Sequence, residues 1–572
     1  MRLRFFKNAV IASFVILVGC LWYIQCVRSP RYKELSRRNR IRLVSLPGPR
    51  GNIYDRNKNL LVGNRLAFDC AVIPQEFGLN EEKMKGLGSI LKTENKALRA
   101  RIKKNTIAPF ISVVLKKDIG KETAIAISER SADFPGLIIQ TYPLRYYPNG
   151  RIGSHVTGYL GKINEEEFNT LSDYGYETRD FMGRGGLEFF YDNYLRGEDG
   201  GMQTEVDSRG RQLQVLGIKE PQKGKDLTLT IDLELEKYVD SLLSEHKGAI
   251  IIMDSSSGEI LTLLSKPDFD PNIFVSSNKT TAVKNLLRRK DYPLVDRAIS
   301  GTYALGSVFK IVTASAGLEL NKIKKNEQLD CQGFYILGNR RFNCWKESGH
   351  GLQVLKEAIK NSCNVFFYQV GRRVGVDGLA SYSLRYGFGK PTQIDLPYES
   401  SGIVPSRAWK RRFKKEPWYE GETLNYAIGQ GYLSVTPLQV LRMVNTVASE
   451  GELVRPFLVK KIDALDFFTP DKKRLNISKD TFRAIKDGMR KAVGDSHGTA
   501  GRARVAGLQI AGKTGTAETG SRGTHAWFAG FSPVEKPKIS LVVFLEYGGK
   551  GGDKPCRIAS NIFAKLKEMG YL

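Results

Sequence analysis

The stretch Gly306–Leu320, GSVFKIVTASAGLEL, is the part of the sequence from which fold and chemistry can both be argued. Its apolar residues recur at helical spacing, so it predicts a helix that begins near Ser307 and packs against a sheet. Ser307 and Lys310 then lie one turn apart on the same face of that helix. A serine is a weak nucleophile until a base takes its proton, and a lysine in a desolvated pocket can have its pKa lowered enough to be that base. The segment therefore predicts a nucleophilic serine.

The Ser-x-x-Lys pattern is common, and Ser89–Lys92 matches it too. The pattern indicates a function only together with other motifs in a defined order. Ser362-Cys363-Asn364 follows 55 residues after Ser307, and Lys513-Thr514-Gly515-Thr516 begins 151 residues after Ser362. The last motif holds the only Lys-Ser/Thr-Gly sequence in the chain. Three motifs in this order are typical of penicillin-recognising acyl-serine enzymes.

With these motifs in place, the whole chain resembles the class B penicillin-binding proteins, the membrane-anchored transpeptidases of bacterial peptidoglycan. The resemblance also rests on Arg50–Arg56, Tyr147–Tyr159, Gly185–Gly197, Ile428–Gly431 and His525–Gly530. Within the family, Cys344-Trp345 followed by Gly349-His350-Gly351 is similar to the penicillin-binding protein 2 group, which acts in elongation. One departure is visible, because Tyr303–Gly306 stands where a Pro-Gly pair commonly precedes the serine, which leaves the shape of that loop open.

The resemblance implies a catalytic role for five residues. Ser307 would attack the penultimate D-Ala carbonyl of a stem peptide and release the terminal D-Ala, with Lys310 as base, although the base is disputed in this superfamily. Ser362 would relay a proton to the leaving amine, and Asn364 would hold the amide of the donor peptide. Lys513 would supply positive charge.

The resemblance also implies a substrate-binding strand, Thr514-Gly515-Thr516. The hydroxyls of Thr514 and Thr516 would bind the substrate carboxylate, and the backbone amides of Ser307 and Thr516 would form the oxyanion hole. An amine of a second strand would then attack the acyl-enzyme and close a cross-link. The chemistry would need no cofactor.

The function implied is a β-lactam-inhibited D,D-transpeptidase that cross-links stem peptides during elongation, with a SEDS-type glycosyltransferase as partner. The alternatives within enzymes are the division-specific homologue and a D,D-carboxypeptidase in which water replaces the amine. A β-lactam sensor would keep Ser307 and Lys310 but would need a signalling part, and eight residues precede the apolar span in this sequence.

The apolar run Ala9–Val27 has nineteen residues without a charge and would extend roughly 28 Å as a helix, which nearly matches a bilayer core. It predicts a single membrane anchor behind a cytoplasmic tail, residues 1–8, with the bulk of the chain on the periplasmic side of the inner membrane. A cleaved signal peptide and a lipoprotein box at Leu17–Cys20 are the alternatives, and the apolar run continues past Cys20. Basic residues lie on both sides of the span, so charge alone does not orient it.

The remaining sequence predicts two domains of an α+β protein. Residues 28–222 read as an irregular α+β pedestal of the dimerisation type. Residues 223–572 read as the transpeptidase domain, with helices packed around a mainly antiparallel sheet. Its predicted elements include a hairpin over 248–266 and helices at 307–320, 352–375, 436–449 and 479–493.

The formal charge of +28 suggests a polyanionic partner, and two stretches mimic a nucleotide or nucleic-acid site. Gly507–Thr514 satisfies the P-loop expression, but a Gly/Arg-rich loop precedes it and a poor helix former follows it, whereas a P-loop needs a strand before and a helix after. The basic-aromatic run Trp409–Lys415 predicts a solvated loop. We therefore expect anionic lipid and wall polymer, not nucleic acid, as the counterpart of the charge.

Three cysteines and a histidine, Cys331, Cys344, His350 and Cys363, fall within 33 residues. Three thiolates and an imidazole suit tetrahedral zinc, and a metal here would brace the Ser362–Asn364 motif from behind. The spacing lacks a tight Cys-x-x-Cys knuckle, so a disulfide or free buried thiols are the alternatives.

Overall fold

The computed structural model describes residues 2–78, 80–171, 173, 176, 180–207, 212–276, 279–467, 470–520 and 523–572. Its helices are α1 (Arg2–Trp22), α2 (Ser29–Arg40), α3 (Pro74–Phe77), α4 (Glu81–Leu91), α5 (Asn95–Asn105), α6 (Lys121–Glu129), α7 (Ser154–Thr157), α8 (Glu165–Leu171), α9 (Gly186–Phe190), α10 (Asp192–Leu195), α11 (Leu233–Leu242), α12 (Asn272–Val275), α13 (Thr280–Leu287), α14 (Lys310–Glu319), α15 (Leu355–Lys360), α16 (Asn364–Arg385), α17 (Arg407–Phe413), α18 (Glu420–Ala427), α19 (Pro437–Ala448), α20 (Lys479–Gly494) and α21 (Lys554–Glu568).

The strands are β1 (Ile41–Leu46), β2 (Ile53–Tyr54), β3 (Leu60–Val72), β4 (Val113–Lys116), β5 (Leu137–Tyr146), β6 (Leu160–Lys162), β7 (Phe181–Gly183), β8 (Gly200–Val206), β9 (Gln212–Lys219), β10 (Leu227–Leu229), β11 (Gly248–Asp254), β12 (Ile260–Lys266), β13 (Leu329–Cys331), β14 (Phe334–Leu337), β15 (Arg340–Asn343), β16 (Gly351–Gln353), β17 (Glu452–Val454), β18 (Val459–Ile462), β19 (Leu465–Asp466), β20 (Lys472–Arg474), β21 (Ala511–Glu518), β22 (Thr524–Ser532) and β23 (Ile539–Leu545).

The chain divides into two compact units, which we call the pedestal unit and the catalytic unit. The pedestal unit comprises residues 1–50, 64–144 and 196–224, and the catalytic unit comprises residues 51–63, 145–195 and 225–572. Two segments that precede residue 223 thus pack with the catalytic unit. The predicted boundary between residues 222 and 223 stays a prediction.

The pedestal unit has a small core of helices on strands. Side chains of α4, α5 and α6 pack against β3 and β4, with Leu87, Leu98, Val113 and Ile127 all buried. The side chain of Asn80 caps α4 by accepting a hydrogen bond from the Glu82 amide.

The N-terminal helix belongs to this unit by its contacts but buries none of its span. Residues Leu3–Val27 form one helix long and apolar enough to cross a membrane, with a mean hydropathy of 2.3 and no part buried in the protein. An apolar helix left uncovered is what a membrane anchor requires. The segment is therefore a candidate membrane helix.

The catalytic unit is built on a five-stranded antiparallel sheet in the order β12-β11-β23-β22-β21. Both faces are covered, which explains why β11 and β23 are predominantly apolar. Ile250 and Ile252 face the core that contains α11 and α21, whereas Ile251 and Met253 face the core that contains α14 and α19. The predicted α+β architecture, with helices around a mainly antiparallel sheet, is confirmed.

Two predicted elements differ from the structure. The hairpin over 248–266 forms as β11 and β12, but the predicted helix 352–375 is interrupted between Lys360 and Asn364.

The basic run at 409–415 is not a loop, because α17 runs from Arg407 to Phe413 and buries Lys410 in an ion pair with Glu422, with 2.5 Å between Nζ and Oε1. An apolar stem and a carboxylate partner allowed this lysine to be buried, which a reading of charge alone misses.

Candidate active site

Four segments of the catalytic unit bring the three sequence motifs together. Ser307 lies on a 3-10 turn, Gly306–Phe309, which leads directly into α14 with Lys310 as its first residue. Ser362 occupies the break between α15 and α16, and β21 carries Lys513. The three motifs meet although 55 and 151 residues separate them in the chain.

The hydroxyl of Ser362 lies between two buried ammonium groups. Its Oγ is 3.3 Å from Lys310 Nζ and 2.8 Å from Lys513 Nζ. Ser362 reaches this place with a backbone φ of +52°, an uncommon conformation for serine that ends α15. The helical pattern of 352–375 hides this break, so the motif and not the periodicity locates the residue.

Lys310 is held by the second motif. Its Nζ donates to Ser362 O at 2.7 Å and to Asn364 Oδ1 at 2.7 Å. Ser307 is half-buried, and among the described residues its hydroxyl makes no hydrogen bond with Lys310 or any other group. The expected proximity of Ser307 and Lys310 within one turn is seen, but the ammonium is directed to Ser362 and Asn364.

Burial controls the protonation of both lysines. Lys310 is fully buried, which lowers its pKa to about 8 against the opposing attraction of the Cys363, Cys344 and Cys331 thiols. Burial also lowers the pKa of Lys513 well below its usual value, and the nearby Lys310 charge lowers it further. Such a site can hold a neutral amine near physiological pH, as a general base requires.

The strand β21 is an edge strand that borders the serine turn. It pairs on one side with β22, where Lys513 lies opposite Ala529 and Thr516 opposite Ala526. Thr514 and Gly515 are buried and Thr516 is exposed. A Cβ on Gly515 would come within 2.4 Å of the Leu305 carbonyl oxygen, so the motif needs glycine here for the strand to approach the turn.

The cysteine cluster lies directly behind the second motif. The sulfur atoms of Cys331 and Cys344 are each 3.6 Å from His350 Nδ1, and all four ligand atoms, with Cys363, lie within 4.8 Å of one another. All seven cysteines of the chain are free, so the disulfide alternative does not appear. In a tetrahedral zinc site, bond lengths of about 2.3 and 2.0 Å place sulfur and nitrogen about 3.5 Å apart.

The protonation of the cluster also suits a metal. The hydrogen bond to Cys363 lowers the pKa of Cys331 and of Cys344, and His350 reinforces both shifts. Burial favours neutral His350, but its hydrogen bonds to Cys344 and Cys331 raise its pKa overall. The lowered pKa values of Cys331 and Cys344 favour their thiolates, which are the form of cysteine that binds a metal cation.

Some residues that shape the site were missed from the sequence. The Asn343 carbonyl accepts hydrogen bonds from Asn364 Nδ2 and from the Tyr368 hydroxyl, both at 3.3 Å. The ring centre of Phe367 lies 5.6 Å from Lys310 Nζ. Main-chain carbonyls leave no signature in a sequence, and Phe367 is hidden in an apolar helix.

Two parts of the chain match known domain families. Residues 248–566 match the penicillin binding protein transpeptidase domain, and residues 45–229 match the penicillin-binding protein dimerisation domain. The chain belongs to the class B penicillin-binding proteins.

Similar proteins match nearly the whole chain. The peptidoglycan D,D-transpeptidase MrdA of Acinetobacter baumannii is 33% identical over 98% of this chain and 87% of its own length. The penicillin-binding protein PBP2 of Helicobacter pylori, solved in complex with MreC, has a TM-score of 0.82 at 30% identity, covering 93% of this chain and all of that one. A chain from a peptidoglycan synthase complex that coordinates polymerization and crosslinking has a TM-score of 0.76 at 30% identity, with 98% of each chain covered. The resemblance to the penicillin-binding protein 2 group is confirmed.

Proposed function

We propose that this protein is a peptidoglycan D,D-transpeptidase of cell elongation that works through an acyl-serine intermediate. The observation that carries the proposal is the convergence of Ser362 Oγ on the amines of Lys310 and Lys513 beside the Ser307 turn. The family's transpeptidase domain and the D,D-transpeptidase relatives support the same reaction class.

In the acylation step, neutral Lys310 accepts the Ser307 proton while Oγ attacks the carbonyl of the penultimate D-Ala. The amides of Ser307 and Thr516 stabilise the oxyanion. Ser362 passes a proton from Lys310 to the leaving nitrogen, so that the peptide bond breaks and D-Ala departs as a neutral amine. Lys513 orients the Ser362 hydroxyl through its 2.8 Å contact.

In the second step, an amine of another stem peptide attacks the ester carbon. Its proton returns to Ser307 Oγ through the same lysine and serine, which regenerates the enzyme. Thr514 and Thr516 hold the donor carboxylate before D-Ala leaves, and Asn364 holds the donor amide. A β-lactam reacts as an analogue of the donor, acylates Ser307 and does not proceed to the second step.

The location of the enzyme and its partner are inferred from the candidate membrane helix and from the similar structures. We propose that Leu3–Val27 anchors the chain in the inner membrane with the catalytic unit in the periplasm, where peptidoglycan is assembled. A SEDS-type glycosyltransferase is the partner expected, and the synthase complex among the similar structures supports it. Zinc held by Cys331, Cys344, His350 and Cys363 would have a structural role and take no part in the reaction.

The function is tested with purified full-length protein in detergent, a stem-peptide donor that ends in D-Ala-D-Ala, and an amine acceptor. Release of D-Ala together with a cross-linked product supports the proposal. Release of D-Ala with only the hydrolysed donor as product, even at high acceptor concentration, would establish the carboxypeptidase instead. Penicillin labelling without either product would favour the β-lactam sensor.

The pH dependence of acylation tests the role of Lys310. We expect the second-order rate of penicillin acylation to rise with pH and to level off above about 8, the pKa of Lys310, because only the deprotonated amine accepts the serine proton. Below that value the rate should fall about tenfold per pH unit. Stopped-flow measurements between acidic and mildly alkaline pH give the profile, and a flat profile would remove Lys310 from the role of base.

The serine turn gives a steric prediction. Gly306 has a φ of +55°, and a Cβ there would lie 2.3 Å from the Thr516 carbonyl oxygen. Gly306→Ala should therefore push the turn away from β21, open the oxyanion hole and lower the acylation rate by at least about 100-fold. Gly150→Ala is the control, because Gly150 has a φ of +58° with no atom near its Cβ position. Equal acylation by the two variants would show that the hole does not depend on this contact.

A further inference from the structure

The hairpin formed by β14 and β15 lies next to the second motif and has two unlike faces. In its antiparallel register Tyr335 lies opposite Phe342, and Ile336 lies opposite Arg341. Tyr335, Leu337 and Phe342 pack against the core of the catalytic unit. Successive side chains alternate between faces, so Ile336 and Arg341 are on the outward face, where Ile336 is 60% exposed.

The guanidinium of Arg341 is held in a fixed orientation on that outward face. Its Cζ lies 3.9 Å from the ring centre of Phe334, and its Nε donates to Asn343 Oδ1 at 3.1 Å. Among the described residues, no acceptor is seen for its two terminal nitrogens. Stacking and the Nε hydrogen bond fix the plane of the group and leave the fork that binds a carboxylate with two parallel hydrogen bonds.

A continuous series of hydrogen bonds connects this guanidinium to the catalytic lysine. Asn343, whose side chain accepts from Arg341, also accepts from Asn364 Nδ2 through its carbonyl, at 3.3 Å. Asn364 in turn accepts from Lys310 through Oδ1 at 2.7 Å. Two residues, Asn343 and Asn364, therefore connect Arg341 to the catalytic lysine through hydrogen bonds. Both lie on the side of the second motif and not of β21.

We propose that Arg341 is a substrate-recognition residue that binds a carboxylate of the acceptor stem peptide. The proposal rests on the transpeptidase function above, in which β21 already binds the carboxylate of the donor through Thr514 and Thr516. Arg341 is a second positive group of fixed orientation on the hairpin beside the second motif, where it can bind the other peptide. Because a stem peptide ends in a carboxylate, an acceptor strand presents the anion that this fork recognises.

The test compares Arg341→Ala with Arg340→Ala in the full-length protein. Arg340 is exposed in the same strand but belongs to the other face of the hairpin, so its removal changes the net charge equally. The acyl-enzyme is formed from a stem-peptide donor, and the ratio of cross-linked to hydrolysed product is measured against acceptor concentration. Acceptors in which a single carboxylate is converted to a carboxamide, either at the terminus or beside the attacking amine, identify which anion is bound.

We expect Arg341→Ala to raise the acceptor KM about tenfold, a larger change than in the rate of penicillin acylation, and Arg341→Lys to fall between it and the wild type. Arg340→Ala should keep the wild-type acceptor KM. The acceptor in which the bound carboxylate has become a carboxamide should have a high KM with the wild type, and Arg341→Ala should not raise that KM further. An equal shift in both alanine variants, or full sensitivity to Arg341→Ala with every carboxamide acceptor, overturns the proposal. Failure of penicillin to label even the wild type would instead refute the proposed function.

Discussion

Ser307→Ala is expected to abolish covalent labelling by a fluorescent penicillin and to lower cross-linking by at least about 1,000-fold. The half-buried hydroxyl lies on the 3-10 turn that leads into α14 and borders β21, and alanine leaves no oxygen to form the ester. Binding without acylation should survive, because β21 and both lysines are untouched. Labelling is measured by gel fluorescence and by the mass of the intact protein.

The matched control for this loss is Ser241→Ala. Ser241 is an exposed serine of α11 whose hydroxyl donates a hydrogen bond to the Tyr238 carbonyl of the same helix. It should label like the wild type, and both variants should unfold at the wild-type temperature. If Ser307→Ala still gained the mass of penicillin, the nucleophile would have to be sought elsewhere.

Cys344→Ser is expected to release about one bound zinc per chain and to lower the melting temperature by about 5 °C or more, with loss of acylation. The cluster joins the ends of the β14–β15 hairpin to Cys363, whose sulfur also accepts a hydrogen bond from the Phe366 amide at the start of α16. Without the metal, thiols and imidazole lose the charge that holds them together. Ser362 and Asn364, on either side of Cys363, should then lose their alignment with Lys310.

The control for the metal prediction is Cys556→Ser, which alters a buried cysteine outside the cluster. It should keep the zinc, whatever its effect on packing. Metal content is measured on protein purified without chelators, and a strong chelator should give the wild type the melting temperature of Cys344→Ser. Wild-type protein that carries no zinc after such a purification would contradict the prediction.

The secondary structure could be predicted where the local sequence pattern agrees with the burial of the element in the folded protein. The continuous apolar strands 248–254 and 260–266 and the periodic helix at 479–494 form as expected, because in each the apolar pattern agrees with the burial of the element. Prediction failed at 361–363, where Ser362 must leave the helix to reach two lysines. It failed also at α17, where Glu422, outside the helix, neutralises the buried Lys410.

The site followed from motif order more than from spacing. Ser362 Oγ lies within 3.3 Å of the amines of Lys310 and Lys513, and the four cluster residues lie together. What no pattern indicated was the orientation of Lys310 toward Asn364, or the part played by the Asn343 carbonyl. Those features depend on the backbone of a hairpin whose sequence is unremarkable in composition.

The two buried lysines also make the active site a source of instability for the fold. Burial lowers the pKa of both groups in the folded protein, so the unfolded chain binds protons more readily than the native one. The resulting loss of stability is complete below the folded pKa, which is about 8 for Lys310, and disappears as pH rises to the ordinary lysine value. The enzyme therefore sacrifices thermodynamic stability at neutral pH to keep a base ready, and the surrounding core of aromatic and aliphatic side chains must offset that loss.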